Sequence, residues 1–174
     1  GIYKRLYKLL PVLRVINMLN QDIYVRLASA LLSRSGINII RSPLWIAPSV
    51  HLDIAAPGLI SIGSGSVISE RVTILTHDYS MDRVRSTLKS VNDNFELYRC
   101  EPVEIGENAF IGMGAVLLPG VIIGRGSIVA AGSVVTRSVA DGMVVGGNPA
   151  VTICTTEDYW TRSRSKFHLK VRQR

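Results

Sequence analysis

The stretch that decides the fold runs from Ile105 to Ala140 and reads IGENAFIGMGAVLLPGVIIGRGSIVAAGSVVTRSVA. It divides into consecutive blocks of six residues, here called hexads. The first position of each hexad is apolar, and the fifth is small or β-branched. A period of six fits neither an α-helix, with about 3.6 residues per turn, nor one long strand, with a period of two. It is typical of short strands joined by sharp turns and stacked as coils of a parallel β-helix.

The same phase recurs upstream of this stretch. Earlier hexads begin at the apolar residues Ile40, Ile46, Leu52, Ile62, Ile68 and Ile74. With three hexads to a coil, the series predicts about four coils stacked roughly 4.8 Å apart, with every first position pointing inward. The frequent glycine at the second position is expected to allow backbone angles that a β-carbon forbids. The sequence therefore predicts an all-β core over residues 37–154.

Residues 1–36 have helical rather than hexad spacing. Residues 1–19 predict a basic amphipathic helix with apolar positions at Ile2, Leu6, Leu9, Leu13 and Ile16. Residues 21–35 predict a second helix that Asn20 or Asp22 caps and Gly36 ends. Its predicted inner face consists of Ile23, Leu27, Ala30 and Leu31.

The net charge is +7, and the basic residues concentrate at the two ends of the chain. Residues 155–174 predict a basic tail, which suits an anionic membrane, an anionic polymer or a phosphorylated cofactor. We expect no nucleic-acid partner, because the tail lacks interleaved stacking aromatics. For the N-terminal helix, packing on the domain or on a partner subunit is favoured, and peripheral membrane contact is the alternative. The cysteine spacing, without a metal or redox motif, favours free thiols in the cytoplasm.

Residues 80–102 interrupt the hexads with a highly charged segment that begins just after His77. A long insertion in a compact fold is more often functional than idle. The sequence predicts a protruding loop here, close to that histidine.

This series resembles the hexapeptide-repeat acyltransferases, which fold as left-handed β-helices. The resemblance covers residues 37–154. The THD step at Thr76–Asp78, the charged insertion, the series from Pro102 to Val139 and the GGNPA turn at Gly146–Ala150 resemble the sugar O-acetyltransferase subgroup, which includes maltose, galactoside, O-antigen and capsule acetyltransferases. It implies a cytoplasmic homotrimer with active sites between subunits, which moves an acetyl group from acetyl-CoA to a hydroxyl of a sugar or surface polysaccharide precursor.

The resemblance places His77 at the catalytic position. A hydroxyl is a poor nucleophile, and a histidine can take its proton as the ester forms in a direct ternary complex. Such a reaction needs no metal and no covalent enzyme intermediate. Asp78 either orients the imidazole or contacts the acceptor. The other candidates for orienting or acceptor-binding roles are His51, Asp53 and Ser49.

For acetyl-CoA, the resemblance implies contacts along the later coils. Phe110 occupies the place beside the thiol end. The remaining positions that match the family's cofactor contacts are Gly112, Met113, Ala131, Thr136, Arg137, Gly147, Asn148 and Pro149. The phosphates of acetyl-CoA are expected to bind Arg137 or tail residues such as Arg162 and Arg164.

Three alternatives stay open. A serine O-acetyltransferase, or an amino-sugar or antibiotic acetyltransferase, would use the same fold. A zinc protein of the γ-carbonic anhydrase type would need three histidines around the metal. For a scaffold without catalysis, His77→Ala would cause no measurable change.

Overall fold

The computed structural model describes residues 2–88 and 95–169 and shows a left-handed parallel β-helix of triangular section. The first face consists of β1 (Asn38–Ile39), β4 (Ile60–Ile62), β9 (Val103–Ile105) and β12 (Ile122–Ile123). The second consists of β2 (Trp45–Ile46), β5 (Val67–Ile68), β10 (Phe110–Ile111), β13 (Ile128–Val129), β15 (Met143–Gly147) and β16 (Ala150–Thr155). The third consists of β3 (His51–Leu52), β6 (Thr73–Ile74), β11 (Val116–Leu117) and β14 (Val134–Val135).

The remaining elements lie outside these faces. A hairpin outside the prism pairs β7 (His77–Asp78) with β8 (Arg99–Cys100). The helices are an N-terminal 3₁₀ helix (Ile2–Leu13), α1 (Arg14–Leu19), α2 (Gln21–Arg34), α3 (Ser80–Leu88), α4 (Thr156–Ser163) and a short 3₁₀ turn (Arg164–Lys166). Within the described ranges, no helix combines the length and apolarity needed to cross a bilayer.

The inward position of the hexads is confirmed with one exception. Every predicted first position other than Ile40 is buried in one continuous core. Ile40 is exposed, because its neighbour Ile39 pairs in register with Ile62 and takes the inward place. The corner between β1 and β2 holds one residue more than the later corners of this kind, so the strict period of six starts only at Ile46.

The predicted reason for glycine at the second hexad position is wrong. At these positions, Gly124 among them, the backbone angles are ordinary, but the neighbouring coil is very close. A β-carbon built on Gly124 would lie 2.4 Å from the backbone nitrogen of Asp141. The left-handed angles fall instead at the fourth hexad position, as at Gly126 (φ +63°) and at the non-glycine residues Asn108 and Arg71. The second position therefore needs space, and the fourth needs conformational freedom.

This difference between the two positions predicts that alanine substitutions at Gly124 and Gly126 lower the free energy of unfolding by different amounts. Gly124→Ala must push two stacked backbones apart and should lower the free energy of unfolding by about 3 kcal/mol. Gly126→Ala meets no atom within 4 Å and should cost only about 1 kcal/mol, from its left-handed backbone. Urea denaturation of both variants at equal protein concentration tests the ranking. A larger loss for Gly126→Ala would contradict it.

The N-terminal helices cap the first coil. Asn20 caps α2 as predicted, since its side chain accepts a hydrogen bond from Ile23 N at 2.9 Å, and Gly36 follows the helix with φ +91°. The predicted inner face of α2 is wrong. The buried residues are Tyr24, Val25, Ala28, Ser29 and Leu32, whereas Ile23, Leu27 and Ala30 are exposed and Leu31 is half-buried.

Tyr24 explains this rotation of α2. Its hydroxyl donates to Ile46 O at 2.8 Å, and its ring lies 5.3 Å from that of Trp45. Helix α2 is therefore rotated so that Tyr24 points inward, where its hydroxyl can form a hydrogen bond with β2 at the edge of the second face. Burial raises the pKa of the Tyr24 hydroxyl.

The charged insertion is more ordered than a loop. Helix α3 begins at Ser80, and Asp82 on its first turn is buried. The Asp82 carboxylate accepts a hydrogen bond from Leu97 N at 2.9 Å and pairs with Arg83, and the Leu97 N–H, foremost, lowers the pKa of Asp82. The part of the predicted insertion at 89–94 lies outside the described residues.

The C-terminal segment also holds structure that the sequence analysis does not predict. β16 turns back antiparallel to β15, and α4 follows it. Thr155 caps α4 by accepting from Asp158 N at 3.0 Å. The end of the predicted tail, residues 170–174, lies outside the described residues.

Candidate active site

His77 lies where the chain leaves the prism. Ile74 is the last inward residue of its coil, and Leu75 N still donates to Leu117 O at 2.9 Å in the coil above. When the chain returns, Glu101 N donates to Thr76 O at 2.9 Å, so both ends of the insertion are tied together beside His77. The histidine is thus half-buried on a rigid corner of the fold, as the hexad phase predicts.

Asp53 is the carboxylate that contacts the imidazole. Asp53 Oδ2 is in direct contact with His77 Nδ1, and 16% of the Asp53 side chain and 34% of the His77 side chain are exposed. Asp53 follows β3 and His77 follows β6, and these strands are neighbours on the third face. Stacking of the coils therefore brings together two residues that are 24 positions apart in the sequence.

Thr76 fixes the position of Asp53. Thr76 N donates to Asp53 Oδ2 at 3.1 Å, and the Thr76 hydroxyl donates to Asp53 O at 2.6 Å. Thr76 is itself fully buried. The carboxylate is therefore held by the next coil, and it faces Nδ1, which leaves Nε2 of His77 as the nitrogen free to meet a substrate.

Two tyrosines form a wall beside the histidine. The His77 ring meets the Tyr79 ring edge to face, with centroids 5.2 Å apart. Tyr79 stacks on Tyr98 at the same centroid distance, and both tyrosines are exposed. Such a surface can pack against the apolar face of a sugar ring. Neither tyrosine was predicted as a site residue, although Tyr79 directly precedes the charged insertion and Tyr98 lies within it.

Asp78 makes its contacts on the insertion. Its carboxylate accepts from Ser80 N at 2.8 Å and lies 3.5 Å from Arg99 Nε. The Ser80 N–H, foremost, lowers the pKa of Asp78. The recorded contacts of Asp78 thus support the start of α3 and the hairpin, while the orienting contact to His77 comes from Asp53.

The other predicted acceptor residues are divided. His51 is exposed on β3, on the same strand end as Asp53. Ser49 lies on a different corner, where it accepts from Arg71 N at 2.9 Å and bonds the carboxylate of Glu70. The structure therefore places His51 on the strand that leads to the His77 corner, whereas Ser49 lies at the other end of the third face.

The predicted acetyl-CoA residues also fall on two corners. Thr136 and Arg137 follow β14 and lie on the corner of His77, two coils further along, roughly 10 Å by coil spacing. Met113 and Ala131 lie on the corner of Ser49, stacked over Arg71. Within one chain, the third face separates the two sets.

The remaining cofactor positions lie close to these sets. Gly112 lies directly under Ala131, with room for no β-carbon between them. Gly147, Asn148 and Pro149 form the turn between β15 and β16. Arg137 lines a cavity of about 430 Å³ against β16, together with Val151 and Thr152. Among the tail arginines, Arg164 lies 5.5 Å from the Trp160 ring and Arg162 Nε donates to Asp158 O at 3.3 Å.

Two further features escaped the sequence analysis. Arg71 is a non-glycine residue with φ +58°, and its guanidinium approaches the sulfur of Met113 at 3.3 Å. Phe110 is exposed and lines a groove of about 380 Å³ beneath α4 with Tyr159, Trp160 and Phe167. The groove could not be predicted, because α4 itself was not.

No set of three His, Cys, Asp or Glu side chains that could hold a metal is found within 2–88 and 95–169. His51 lies on β3 of the third face, whereas His77 lies on β7 at the corner that follows β6 and contacts a carboxylate.

The triangular prism of hexads, with a histidine and a carboxylate in contact at its corner, resembles the fold of the hexapeptide-repeat acyltransferases. The family model described as bacterial transferase hexapeptide (six repeats) matches residues 102–137. The match covers the coils that follow the insertion.

Similar proteins point in the same direction. Protein CapG of Staphylococcus aureus is 45% identical over 106 residues, which cover 61% of this chain and 58% of that protein. "Putative acetyltransferase YvoF" of Bacillus subtilis (strain 168) is 38% identical over 110 residues, covering 63% of this chain and 56% of that protein. The matches thus span little more than half the length of these relatives.

A solved galactoside acetyltransferase in complex with coenzyme A superimposes with a TM-score of 0.56 and 22% identity, covering 79% of this chain and 74% of that chain. At this identity the likeness supports the fold.

Proposed function

We propose that this protein is an acetyl-CoA-dependent O-acetyltransferase that acts on a hydroxyl of a sugar or of a surface polysaccharide precursor. The observation that carries the proposal is the contact between His77 and Asp53 on the rigid corner where the insertion begins. A histidine with one nitrogen held by a carboxylate and the other free can act as a general base.

His77 is the proposed general base. With Nδ1 turned to Asp53, Nε2 accepts the proton of the acceptor hydroxyl as its oxygen attacks the thioester carbon. The imidazolium formed is stabilised by the Asp53 carboxylate. When the carbon–sulfur bond breaks, the same proton passes from Nε2 to the departing thiolate, and His77 returns to its neutral form. The step uses a direct ternary complex.

Tyr79 and Tyr98 support a sugar as the acceptor. A pyranose ring presents a face of C–H bonds that packs on an aromatic surface while its hydroxyls stay free to react. A serine acceptor has no ring to occupy this wall.

A shared site between copies follows from the two corners. One corner of the prism carries Asp53, His77 and Arg137, and another carries Arg71, Met113 and Ala131. Within one chain, the third face lies between these two corners. We therefore propose a homotrimer in which the first corner of one copy meets the second corner of the next, as the family resemblance implies.

The assay follows release of the free thiol from acetyl-CoA in the presence of candidate acceptors. We expect release with galactosides, glucosides or lipid- and nucleotide-linked sugars, and only background release without acceptor. Release with serine alone would favour the serine alternative. Release with none of them, together with no measurable binding of CoA, would favour the scaffold.

A further inference from the structure

The N-terminal cap is apolar on both of its sides. Leu10 is fully buried, and Leu13 and Ile16 pack against the core from the 3₁₀ helix and α1. The opposite side exposes a second row of aliphatic side chains, in which Met18 and Leu19 are 81% and 83% exposed. The full row consists of Leu9, Val12, Val15, Met18, Leu19, Ile23 and Leu27. We call this row the outer face.

An outer face of this kind is normally in contact with another molecule or surface, because a helix that is apolar all round is usually buried. It joins residues of three helices that pack against one another, the 3₁₀ helix, α1 and α2. Because these helices pack against one another, their exposed aliphatic side chains are concentrated in one part of the fold, and a concentration of exposed apolar surface marks an interaction site.

The charges around the outer face are almost all positive. Between residues 7 and 34, the exposed charged side chains are Lys8, Arg14, Arg26, Arg34 and a single acid, Asp22. A basic helix with an aliphatic face is the pattern that lies in the interface of an anionic membrane. Its lysines and arginines meet the headgroups while the aliphatic row enters the acyl boundary.

We propose that the outer face docks on an anionic lipid surface. A protein partner fits less well, because residues 7–34 expose no aromatic side chain, and aromatic residues anchor most protein interfaces. A second copy docked on this face by two-fold symmetry would bring its own basic residues against the same set. This proposal is independent of the proposed function, since lipid binding requires no chemistry.

The position of the cap relates the lipid surface to the candidate active site. Tyr7 of the 3₁₀ helix packs against the core of the prism. Burial, foremost, and then the Asp53 carboxylate raise the pKa of its hydroxyl. Parallel prisms in a closed ring would also present their caps at one end. An acceptor carried on a lipid would then lie in the same membrane surface as the docked protein.

The test is sedimentation of the full chain with vesicles of phosphatidylcholine alone and of phosphatidylcholine with one third phosphatidylglycerol. We expect binding to the anionic vesicles that weakens as salt is added. The pair Arg14→Gln and Arg26→Gln should weaken binding by about fivefold per charge removed. Val15→Glu with Met18→Glu should weaken it at least tenfold while thermal unfolding stays unchanged, because both side chains are exposed.

Leu169→Glu is the control, since it adds negative charge at an apolar residue of the C-terminal segment that is even more exposed than Val15 and Met18. It should leave more than half of the binding intact. The proposal is overturned if no vesicle binds the wild type, or if Leu169→Glu reduces binding as much as the pair on the outer face. It is also overturned if Val15→Glu with Met18→Glu splits a larger oligomer without changing lipid binding, which would show that a second copy covers the face. Thiol release in solution by a variant that no longer binds lipid would leave the proposed function standing.

Discussion

His77→Ala is expected to lower kcat for acetyl transfer by about 100- to 10,000-fold, because the acceptor hydroxyl would lose the base that takes its proton. The side chain is half-exposed at a corner and contributes little to the core, so the variant should fold. Its affinity for CoA, measured by calorimetry, should change less than threefold. Thiol release from acetyl-CoA with the best sugar acceptor is the measurement.

His51→Ala is the control for this prediction. His51 belongs to the adjacent coil on the same face but is exposed on β3. Its loss should change KM for the acceptor more than kcat. Equal rates for His77→Ala and the wild type would remove the general base from the mechanism, and a loss of CoA binding in parallel with kcat would make the histidine a structural or binding residue.

Asp53→Asn should lower kcat by about 100-fold, with little change in KM for acetyl-CoA. Asparagine keeps an oxygen that can accept from Thr76 N, so the corner is preserved while the negative charge that stabilises the imidazolium is lost. Asp53 acts through His77 and is a positioning residue. Thermal unfolding should stay within a few degrees of the wild type.

Thr76→Val separates this role from plain support of the fold. It removes the hydroxyl that bonds Asp53 O at 2.6 Å and should cost about 1–2 kcal/mol of stability. The carboxylate would still face His77, so kcat should fall no more than a few-fold. If Thr76→Val lowers kcat as much as Asp53→Asn does, or if Asp53→Asn loses activity only in step with its unfolded fraction, the charge of Asp53 is not what matters.

Three elements show where reasoning from the sequence reaches its limit. The inward hexad positions were predictable because a buried apolar residue recurs every six residues along the chain. The face of α2 was not, since apolar residues surround the helix and one hydrogen bond from Tyr24 to Ile46 decides its rotation. The recurrence of glycine at the second hexad position is visible in the sequence, but the reason for it is not. A β-carbon on Gly124 would lie 2.4 Å from the backbone of the next coil, and this close approach exists only once the coils are stacked.

The candidate site divides in the same way. His77 stands out in the sequence as the residue that follows the last inward position before the insertion. Its partner does not, because Asp53 and Asp78 are both acids near a strand end, and the nearer one along the chain turns instead to Ser80 and Arg99. Local order in the chain favours Asp78, whereas the stacking of β3 under β6 brings Asp53 to Nδ1.

The sequence by itself determined the prism, its phase after Ile46, the start of α2 near Asn20 and the placement of His77, because each depends on a period or on neighbours within a few residues. The tertiary structure alone decided that Asp53 contacts His77, that the proposed acetyl-CoA residues occupy two separate corners and that aliphatic side chains of the cap are left exposed. These depend on contacts between coils and helices far apart in the chain, and no local pattern encodes which surfaces meet.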